Sequence, residues 1–178
     1  MSIEEISKRI KECKKCGLWK TRNNAVPGEG NKNAKVMIIG QAPGKQEDIL
    51  GRPFVGKAGK FLTQALEKFG KKREEFFITS IIKCFPPYNR KPSKKEIENC
   101  LPYTIQQIKT IKPKMILILG EVACEALINK KFSEVRGKFV EKNRIKFFVT
   151  FHPSAAMRFK KIKEKFIQDL DLFFKVYY

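Results

Sequence analysis

Short apolar runs alternate along the chain with segments whose apolar residues recur every three or four positions. Four of the runs are rich in β-branched residues and predict buried strands, at 35–39, 76–82, 115–119 and 146–150. Helical spacing predicts five helices, at 2–12, 59–69, 93–111, 121–128 and 162–173. Strands that alternate with helices predict an α/β fold, a three-layer α/β/α sandwich with a central, mainly parallel four-stranded sheet.

Local signals support several element boundaries. Ser2 is suited to cap the first helix, and Ser93 with Glu96 has the pattern of a capping box. Pro102 falls inside the third predicted helix, so we expect a kink there. A hairpin is expected around Lys142-Asn143, ahead of the last strand.

No internal repeat or low-complexity linker divides the sequence, so residues 1–178 predict a single domain. That length can bury a core without disulfides, and a hydrophobic content of 42% excludes wholesale disorder. No apolar run is long enough to span a bilayer, and no apolar signal segment follows the first residue. We therefore expect a cytoplasmic protein that does not bind membranes.

The charge balance predicts an anionic partner. The chain has 38 Lys and Arg against 18 Asp and Glu, a net charge of +20 that opposes compaction when no partner is bound. Basic clusters occur at residues 90–95 and 158–165. Solvated surfaces or a hot habitat account for part of the lysine content. Nucleic acid is the leading partner, and its binding should weaken steeply with salt.

Three irregular loops follow predicted strands, at residues 41–44, 84–87 and 151–154. In parallel α/β sheets, ligands bind beyond the carboxyl ends of the strands. The topology alone therefore predicts that these loops converge on one site.

Four of the five cysteines fall into two pairs, Cys13 with Cys16 and Cys84 with Cys100. An odd number of cysteines argues against a disulfide framework, and paired thiolates bind zinc or an iron–sulfur cluster. The second pair lacks the tight spacing of a zinc ribbon, which favours a cluster; unliganded cysteines are the alternative. A metal here would tie the N-terminal helix to the sheet. Cys124 lies in an apolar helical stretch and is expected to be a small buried hydrophobe.

Two further features have both a functional and a structural interpretation. His152 is the only histidine, and an imidazole at a strand end could donate to a developing anion; the alternative is a hydrogen-bonded loop residue. Residues 51–60 combine glycines, basic residues and Phe54, which suits close approach to phosphate and base stacking. The alternative for this segment is a flexible lid with Phe54 in the core.

Taken in order, the motifs resemble one family of enzymes. The chain carries the early C-x2-C pair, residues 40–44 with Glu47-Asp48, residues 51–59, Lys83-Cys84 with Pro86-Pro87 and Asn89-Arg90, Cys100, and His152-Pro153-Ser154. This series resembles the family-4 uracil-DNA glycosylases, the iron–sulfur type of thermophilic bacteria and archaea. The likeness covers nearly the whole chain.

The resemblance implies a DNA-repair enzyme with the fold of the uracil-DNA glycosylase superfamily. Such an enzyme flips uracil, or another deaminated base, out of DNA and hydrolyses its N-glycosidic bond without a covalent nucleophile, leaving an abasic site. The four paired cysteines would hold a 4Fe-4S cluster, with zinc as the less favoured occupant. The partner would be damaged DNA, and the protein would be a monomer associated with the prokaryotic nucleoid.

The same resemblance assigns expected roles to individual residues. The catalytic set would be His152, Gln41, Ala42, Glu47 and Asn89, with His152 bonded to the uracil oxygen that gathers charge and with Glu47 and Asn89 on the water side. The base would lie against Phe54, Ser80 and Gly40. The residues expected to contact DNA are Arg52, Lys57, Lys60, Arg90, Ser154 and Arg158, and the loop through Met157 would enter the duplex.

Two positions depart from the family pattern. Gln41 stands where the family usually has Glu, and Ser80 stands where an Asn usually reads the base. A serine hydroxyl rotates and suits several bases, so base choice is expected to be altered. Neither Gln41 nor Ala42 can act as a general base, which predicts a dissociative mechanism. The alternatives are a non-catalytic iron–sulfur nucleic-acid-binding module with a degenerate pocket, or a zinc-stapled RNA-binding protein.

Overall fold

Six strands form one mixed sheet in the computed structural model, which describes residues 1–177. The strand order is β1-β3-β2-β4-β6-β5, and the strands are β1 (Glu29–Gly30), β2 (Val36–Gly40), β3 (Phe77–Ser80), β4 (Met115–Leu119), β5 (Phe139–Lys142) and β6 (Ile145–Thr150). The central strands β3, β2, β4 and β6 pair in parallel. The outer strands β1 and β5 pair antiparallel at the two edges.

The predicted four-stranded sheet is therefore wrong in its strand count, although its four strands are the parallel centre. The edge strands were missed because neither has a buried apolar run: β1 has two residues, and β5 is half-buried to exposed. The hairpin expected around Lys142-Asn143 is confirmed. Asn143 and Arg144 have φ of 54° and 64°, the left-handed conformation that two-residue hairpin turns require.

Helices cover both faces of the sheet. Their bounds are α1 (Ile3–Lys11), α2 (Lys45–Leu50), α3 (Lys57–Glu67), α4 (Lys94–Ile111), α5 (Glu121–Ile128), α6 (Phe132–Val135), α7 (Pro153–Arg158) and α8 (Lys160–Tyr177). The five predicted helices are confirmed, and α4 continues through Pro102. The short helices α2, α6 and α7 were not predicted, because segments of four to six residues carry no readable helical period. No helix within residues 1–177 is long and apolar enough to cross a bilayer.

Alternate residues of the central strands supply two separate cores. On one face, Met37 and Ile39 pack with α1, α4 and α5; on the other, Val36 and Ile38 pack with α3 and α8. This alternation is the two-residue period of a strand buried on both faces. The arrangement confirms the predicted three-layer α/β/α sandwich.

The register brings the carboxyl ends of neighbouring strands side by side. Gly40 of β2 pairs with Ser80 of β3, and Leu119 of β4 pairs with Thr150 of β6. The chain leaves the sheet directly after Gly40, Ser80 and Thr150. The loops that follow therefore begin next to one another.

Core packing under α8 should dominate local stability. Phe166 is fully buried against Phe61 and the sheet, so Phe166→Ala should lower the free energy of unfolding by about 3–5 kcal/mol. The same change at Phe159, which is 58% exposed, should alter it by no more than about 0.5 kcal/mol. Chemical denaturation of both variants measures the difference, and equal effects would contradict this packing.

Candidate active site

A cavity of about 330 Å³ opens at the carboxyl ends of β2, β3 and β6. Residues of the predicted loops at 41–44 and 151–154 line it, together with residues from the Phe54 segment. The predicted loop at 84–87 does not line it, but Asn89 and Arg90 just beyond that loop do. The lining residues are Val26, Gln41, Ala42, Pro43, Gly44, Glu47, Pro53, Phe54, Ala58, Ser80, Asn89, Arg90, His152, Ser154 and Arg158. Two of the three predicted loops thus converge as the topology predicts, and the third is represented only by the residues that follow it. The cavity is within the usual size range of small-molecule pockets.

Phe54 and His152 face each other as a stacked pair in this cavity. Their ring centroids are 5.9 Å apart and their planes differ by 30°. Phe54 has a φ of 50°, a left-handed backbone conformation that residues other than glycine rarely adopt. Its ring lies against Gly40, where a Cβ would come within 2.5 Å of Phe54 Cζ. At Gly59, a Cβ would lie 1.9 Å from the Phe54 carbonyl oxygen, so both glycines make room for Phe54.

Glu47, in the first turn of α2, fixes the segment that carries Phe54. Its buried carboxylate accepts backbone N–H bonds from Val55 and Gly56 at 2.8 Å each, and from Gly44 at 3.0 Å. Hydrogen bonds to an ionised acceptor are stronger than neutral ones. Glu47 lines the cavity, but its carboxylate is occupied by the two loops that it joins.

Arg73 holds the same segment from the other side, and sequence analysis missed it. Its guanidinium donates to the carbonyl oxygens of Pro53 and, at 3.0 Å, of Phe54. It also pairs with Glu29 at 3.1 Å. No motif marks Arg73, because its partners lie about twenty or more positions away along the chain.

His152 caps the N-terminus of α7 and is held in one tautomer. Its Nδ1 accepts a bond from the backbone N–H of Ser154 at 3.2 Å and lies 2.8 Å from the Ser154 Oγ. A backbone amide can only donate, so Nδ1 carries no proton and Nε2 carries it. Burial lowers the pKa of His152 to about 4, although the negative charge of Glu47 acts to raise it. The imidazole is therefore neutral at pH 7 and presents an N–H donor.

Three other polar side chains of the cavity are uncommitted. The side chains of Gln41, Ser80 and Asn89 make no hydrogen bond to any other part of residues 1–177. Ser80 is buried, Gln41 is half-buried, and Asn89 is exposed at the rim. These groups, unlike Glu47, are available to a bound molecule.

The predicted DNA-contacting residues divide into two sets. Arg90, Ser154 and Arg158 line the cavity, and Arg90 also pairs with Glu96 at 2.7 Å. The other three, Arg52, Lys57 and Lys60, are exposed outside it. Arg52 pairs with Glu29 at 2.8 Å. Of the predicted base-contacting residues, only Gly40 does not line the cavity, since it lies behind the Phe54 ring.

Tyr88 is a rim residue that sequence analysis did not single out. Its side chain is 100% exposed, its φ is 58°, and it directly precedes the cavity-lining Asn89 and Arg90. An aromatic residue between a proline pair and Asn89 was the available signal. Large apolar side chains are rarely so fully exposed without a partner surface.

The four paired cysteines meet at a second, smaller cavity. Cys13 and Cys16 follow α1, Cys84 follows β3, and Cys100 lies in α4; all four line this cavity. None of the five cysteines forms a disulfide, and Cys124 is buried elsewhere. No group of three or more His, Cys, Asp or Glu within residues 1–177 is arranged to hold a metal ion.

Two donors point at sulfur atoms of this cavity. The backbone N–H of Lys83 donates to Cys100 Sγ at 3.2 Å, and the guanidinium of Arg22 donates to Cys84 Sγ at 3.1 Å. Burial raises the pKa of the Cys100 thiol to about 12, whereas the bonds from the Lys83 N–H and the Arg22 guanidinium act to lower the pKa values of Cys100 and Cys84. These donors stabilise the thiolate form that binds metal, so the donor set fits a thiolate-bound group.

Lys83 connects the two cavities. Its buried ammonium donates to Thr79 Oγ1 and the Ser80 carbonyl at 2.6 Å each, and to Gln107 Oε1 at 2.8 Å. Burial lowers the pKa of Lys83 to about 7, while the neighbouring Cys100 acts to raise it. One residue thus contacts a cysteine through its backbone and the Ser80 turn through its side chain.

The fold and the site define a member of the uracil DNA glycosylase superfamily, whose family model matches residues 27–171. The sequence is also 44% identical to a type-4 uracil-DNA glycosylase of Pyrobaculum aerophilum, over 98% of this chain and 94% of that protein. Type-4 enzymes of Saccharolobus solfataricus (44% identity, 94% of this chain, 83% of theirs) and Thermotoga maritima (39%, 88% and 83%) are similar. The chain belongs to the type-4 uracil-DNA glycosylase family.

The low pKa of His152 makes stability depend on pH. Between about pH 6.5 and pH 4 the unfolded chain binds a proton at His152 while the folded chain does not, so stability falls as pH falls. This residue alone should lower the free energy of unfolding by about 2 kcal/mol between pH 7 and pH 5. In His152→Asn, which keeps a capping side chain, that component should be absent. Denaturation at both pH values measures it, and an identical loss in the two proteins would contradict a buried neutral imidazole.

Proposed function

We propose that this protein excises uracil from DNA by hydrolysing the bond between the base and deoxyribose, leaving an abasic site. The observation that carries the proposal is the cavity in which the Phe54 ring faces the neutral, proton-donating His152. An aromatic wall offsets part of the cost of unstacking a base, and a fixed N–H donor stabilises charge that develops on it.

The steps of base binding follow from the side chains whose hydrogen bonds fix the shape of the cavity. The flipped uracil stacks on Phe54, which Glu47 and Arg73 hold in place. Nε2–H of His152 donates to the uracil oxygen that becomes negative as the bond breaks. A neutral imidazole suits this role because Ser154 fixes its tautomer and no proton has to be removed first.

Bond cleavage is dissociative in this proposal. The C1′–N1 bond breaks, its electron pair leaves with uracil, and the sugar becomes an oxocarbenium-like cation. A water molecule then bonds to C1′ and loses a proton, and the departing uracil anion is protonated. Asn89, uncommitted at the rim, shapes the water side, while Glu47 holds the loop geometry and adds negative charge near the sugar cation.

Basic residues around the cavity guide the DNA backbone. Arg90, Ser154 and Arg158 border the opening, and Arg52, Lys57 and Lys60 extend the basic surface beside Phe54. In this proposal Met157, which is 43% exposed near the end of α7, enters the duplex. With a net charge of +20, affinity should fall steeply as salt rises. The proposal includes a monomeric enzyme that acts on nucleoid DNA in a prokaryotic cytoplasm.

The cysteine cavity is proposed to hold a 4Fe-4S cluster. In such a cluster each thiolate binds a different iron, so four sulfurs surround a larger object than one zinc ion. The four cysteines line one cavity, as a cluster held by four thiolates requires. The group would tie the segment after α1 to β3 and α4, and its role would be structural.

Replacing His152 should abolish most of the activity. His152→Ala should lower the rate of uracil release by about 100- to 1,000-fold, because one well-aimed donor to a developing anion is worth ~3 kcal/mol. Alkaline cleavage of oligonucleotides with a single uracil measures it, and Gln168→Ala, an exposed change on α8, is the control. Tight DNA binding by the wild type without base release, unaffected by His152→Ala, would instead indicate a non-catalytic module.

Two cysteine variants separate cluster binding from packing. Cys100→Ala should remove the brown colour and the bound iron and sulfide of the purified protein, and should lower its melting temperature. Cys124→Ala also removes a buried thiol, but outside the cysteine cavity, and should keep colour and iron. Colourless wild-type protein that contains zinc would contradict the assignment.

A further inference from the structure

Among the uncommitted polar groups of the cavity, one carboxamide lies inside it. Gln41 is half-buried and lines the cavity, whereas the amide of Asn89 is exposed at the rim. Ser80 is buried but offers a single hydroxyl. We propose that the Gln41 carboxamide reads the edge of the flipped base and is the specificity-determining residue of this site, an inference that rests on the proposed excision of uracil.

The backbone holds Gln41 at the right place for this role. Its carbonyl accepts the N–H of Ile82 at 3.0 Å, which fixes the Cα beside the end of β3. The preceding residue, Gly40, lies under the Phe54 ring and pairs with Ser80. The Gln41 amide therefore starts next to the stacking platform, with no partner of its own to satisfy.

A carboxamide matches the edge that deamination creates. Uracil presents N3–H beside C4=O, so the Oε1 of Gln41 accepts from the ring N–H while Nε2 donates to the carbonyl. Cytosine presents the reverse pattern, a ring nitrogen acceptor beside an amino group, and pairs only with the amide turned by 180°. The preference between the two bases is therefore set by which orientation of the Gln41 amide the cavity favours. One hydroxyl, as at Ser80, cannot make both bonds in fixed geometry. The small Ser80 side chain leaves space for the base, and the Gln41 carboxamide forms the hydrogen bonds that recognise its edge.

Replacing the Gln41 carboxamide by a carboxylate tests directly whether Gln41 recognises the base edge. In Gln41→Glu, two acceptor oxygens face C4=O, so kcat/KM for uracil in single-stranded DNA should fall about 10- to 100-fold at neutral pH, the worth of a bidentate base contact. A protonated carboxyl has one donor and one acceptor, as the amide does. The loss relative to wild type should therefore shrink as pH is lowered, which a merely structural defect would not show. Gln168→Glu carries the same charge change on exposed α8 and should match wild type.

A second variant returns an amide to the neighbouring strand end. Because Gly40 pairs with Ser80, Gln41→Glu/Ser80→Asn places a carboxamide one strand away and should recover part of the lost uracil preference. Gln41→Met, which removes both polar atoms at similar volume, covers the case in which the charged variant fails to fold. It should show a similar loss at neutral pH, with no recovery in acid.

Binding measurements separate this inference from the proposed function. Each protein is titrated with oligonucleotides carrying 2′-fluoro-2′-deoxyuridine or 2′-fluoro-2′-deoxycytidine, which resist cleavage. Wild type should prefer the uracil probe about 10-fold or more, and Gln41→Glu and Gln41→Met should lose that preference. Equal preference in wild type and both variants overturns the role of Gln41. A wild type that releases no uracil but keeps a Gln41-dependent binding preference overturns the excision and leaves the reading in place.

Discussion

The site depends on one buried carboxylate. Glu47 accepts three backbone N–H bonds, one from the loop after β2 and two from the segment that carries Phe54. These bonds hold Phe54 in a left-handed conformation that a phenylalanine would otherwise avoid. Bonds to a charged acceptor are worth about 1.5–3 kcal/mol each, enough to offset this strain. The negative charge of Glu47 also acts to raise the pKa of His152, although burial has the larger effect and lowers it.

The predictions from sequence were correct where a local sequence pattern determines which distant residues come together. Carboxyl ends of parallel strands meet at one edge of a sheet, so the sequence alone predicts that the loops carrying Gln41 and His152 lie together. The two edge strands and Arg73 were not predicted from the sequence, and both omissions have the same cause. Edge strand β1, two residues long, and Arg73, which bonds Phe54 across nineteen positions, exist only through tertiary contacts that no periodicity records. Glu47 was identified by resemblance, but its threefold backbone bonding could come only from the folded chain.

The cysteine cavity and the base cavity are coupled through Lys83. Its backbone N–H bonds Cys100, while its ammonium bonds Thr79 Oγ1 and the carbonyl of Ser80. A buried ammonium is costly unless its donors are satisfied, and here three acceptors surround it. A group that orders the cysteine loops therefore also orders the turn that supplies Ser80. A structural cofactor can in this way matter to base binding without taking part in the reaction.

The polar groups of the base cavity differ in how much the fold depends on them. Changing Glu47, or the tautomer-fixing contact between His152 and Ser154, leaves half-buried backbone N–H groups without their acceptor, so it costs stability as well as activity. The side chains of Gln41 and Ser80 make no hydrogen bond within the described chain, so changing these side chains leaves no hydrogen-bond partner unsatisfied. Base preference can consequently change at these two positions while the stacking platform and the donor stay fixed. The two departures from the family pattern that the sequence analysis expects fall at these positions, where no hydrogen bond of the fold depends on the side chain.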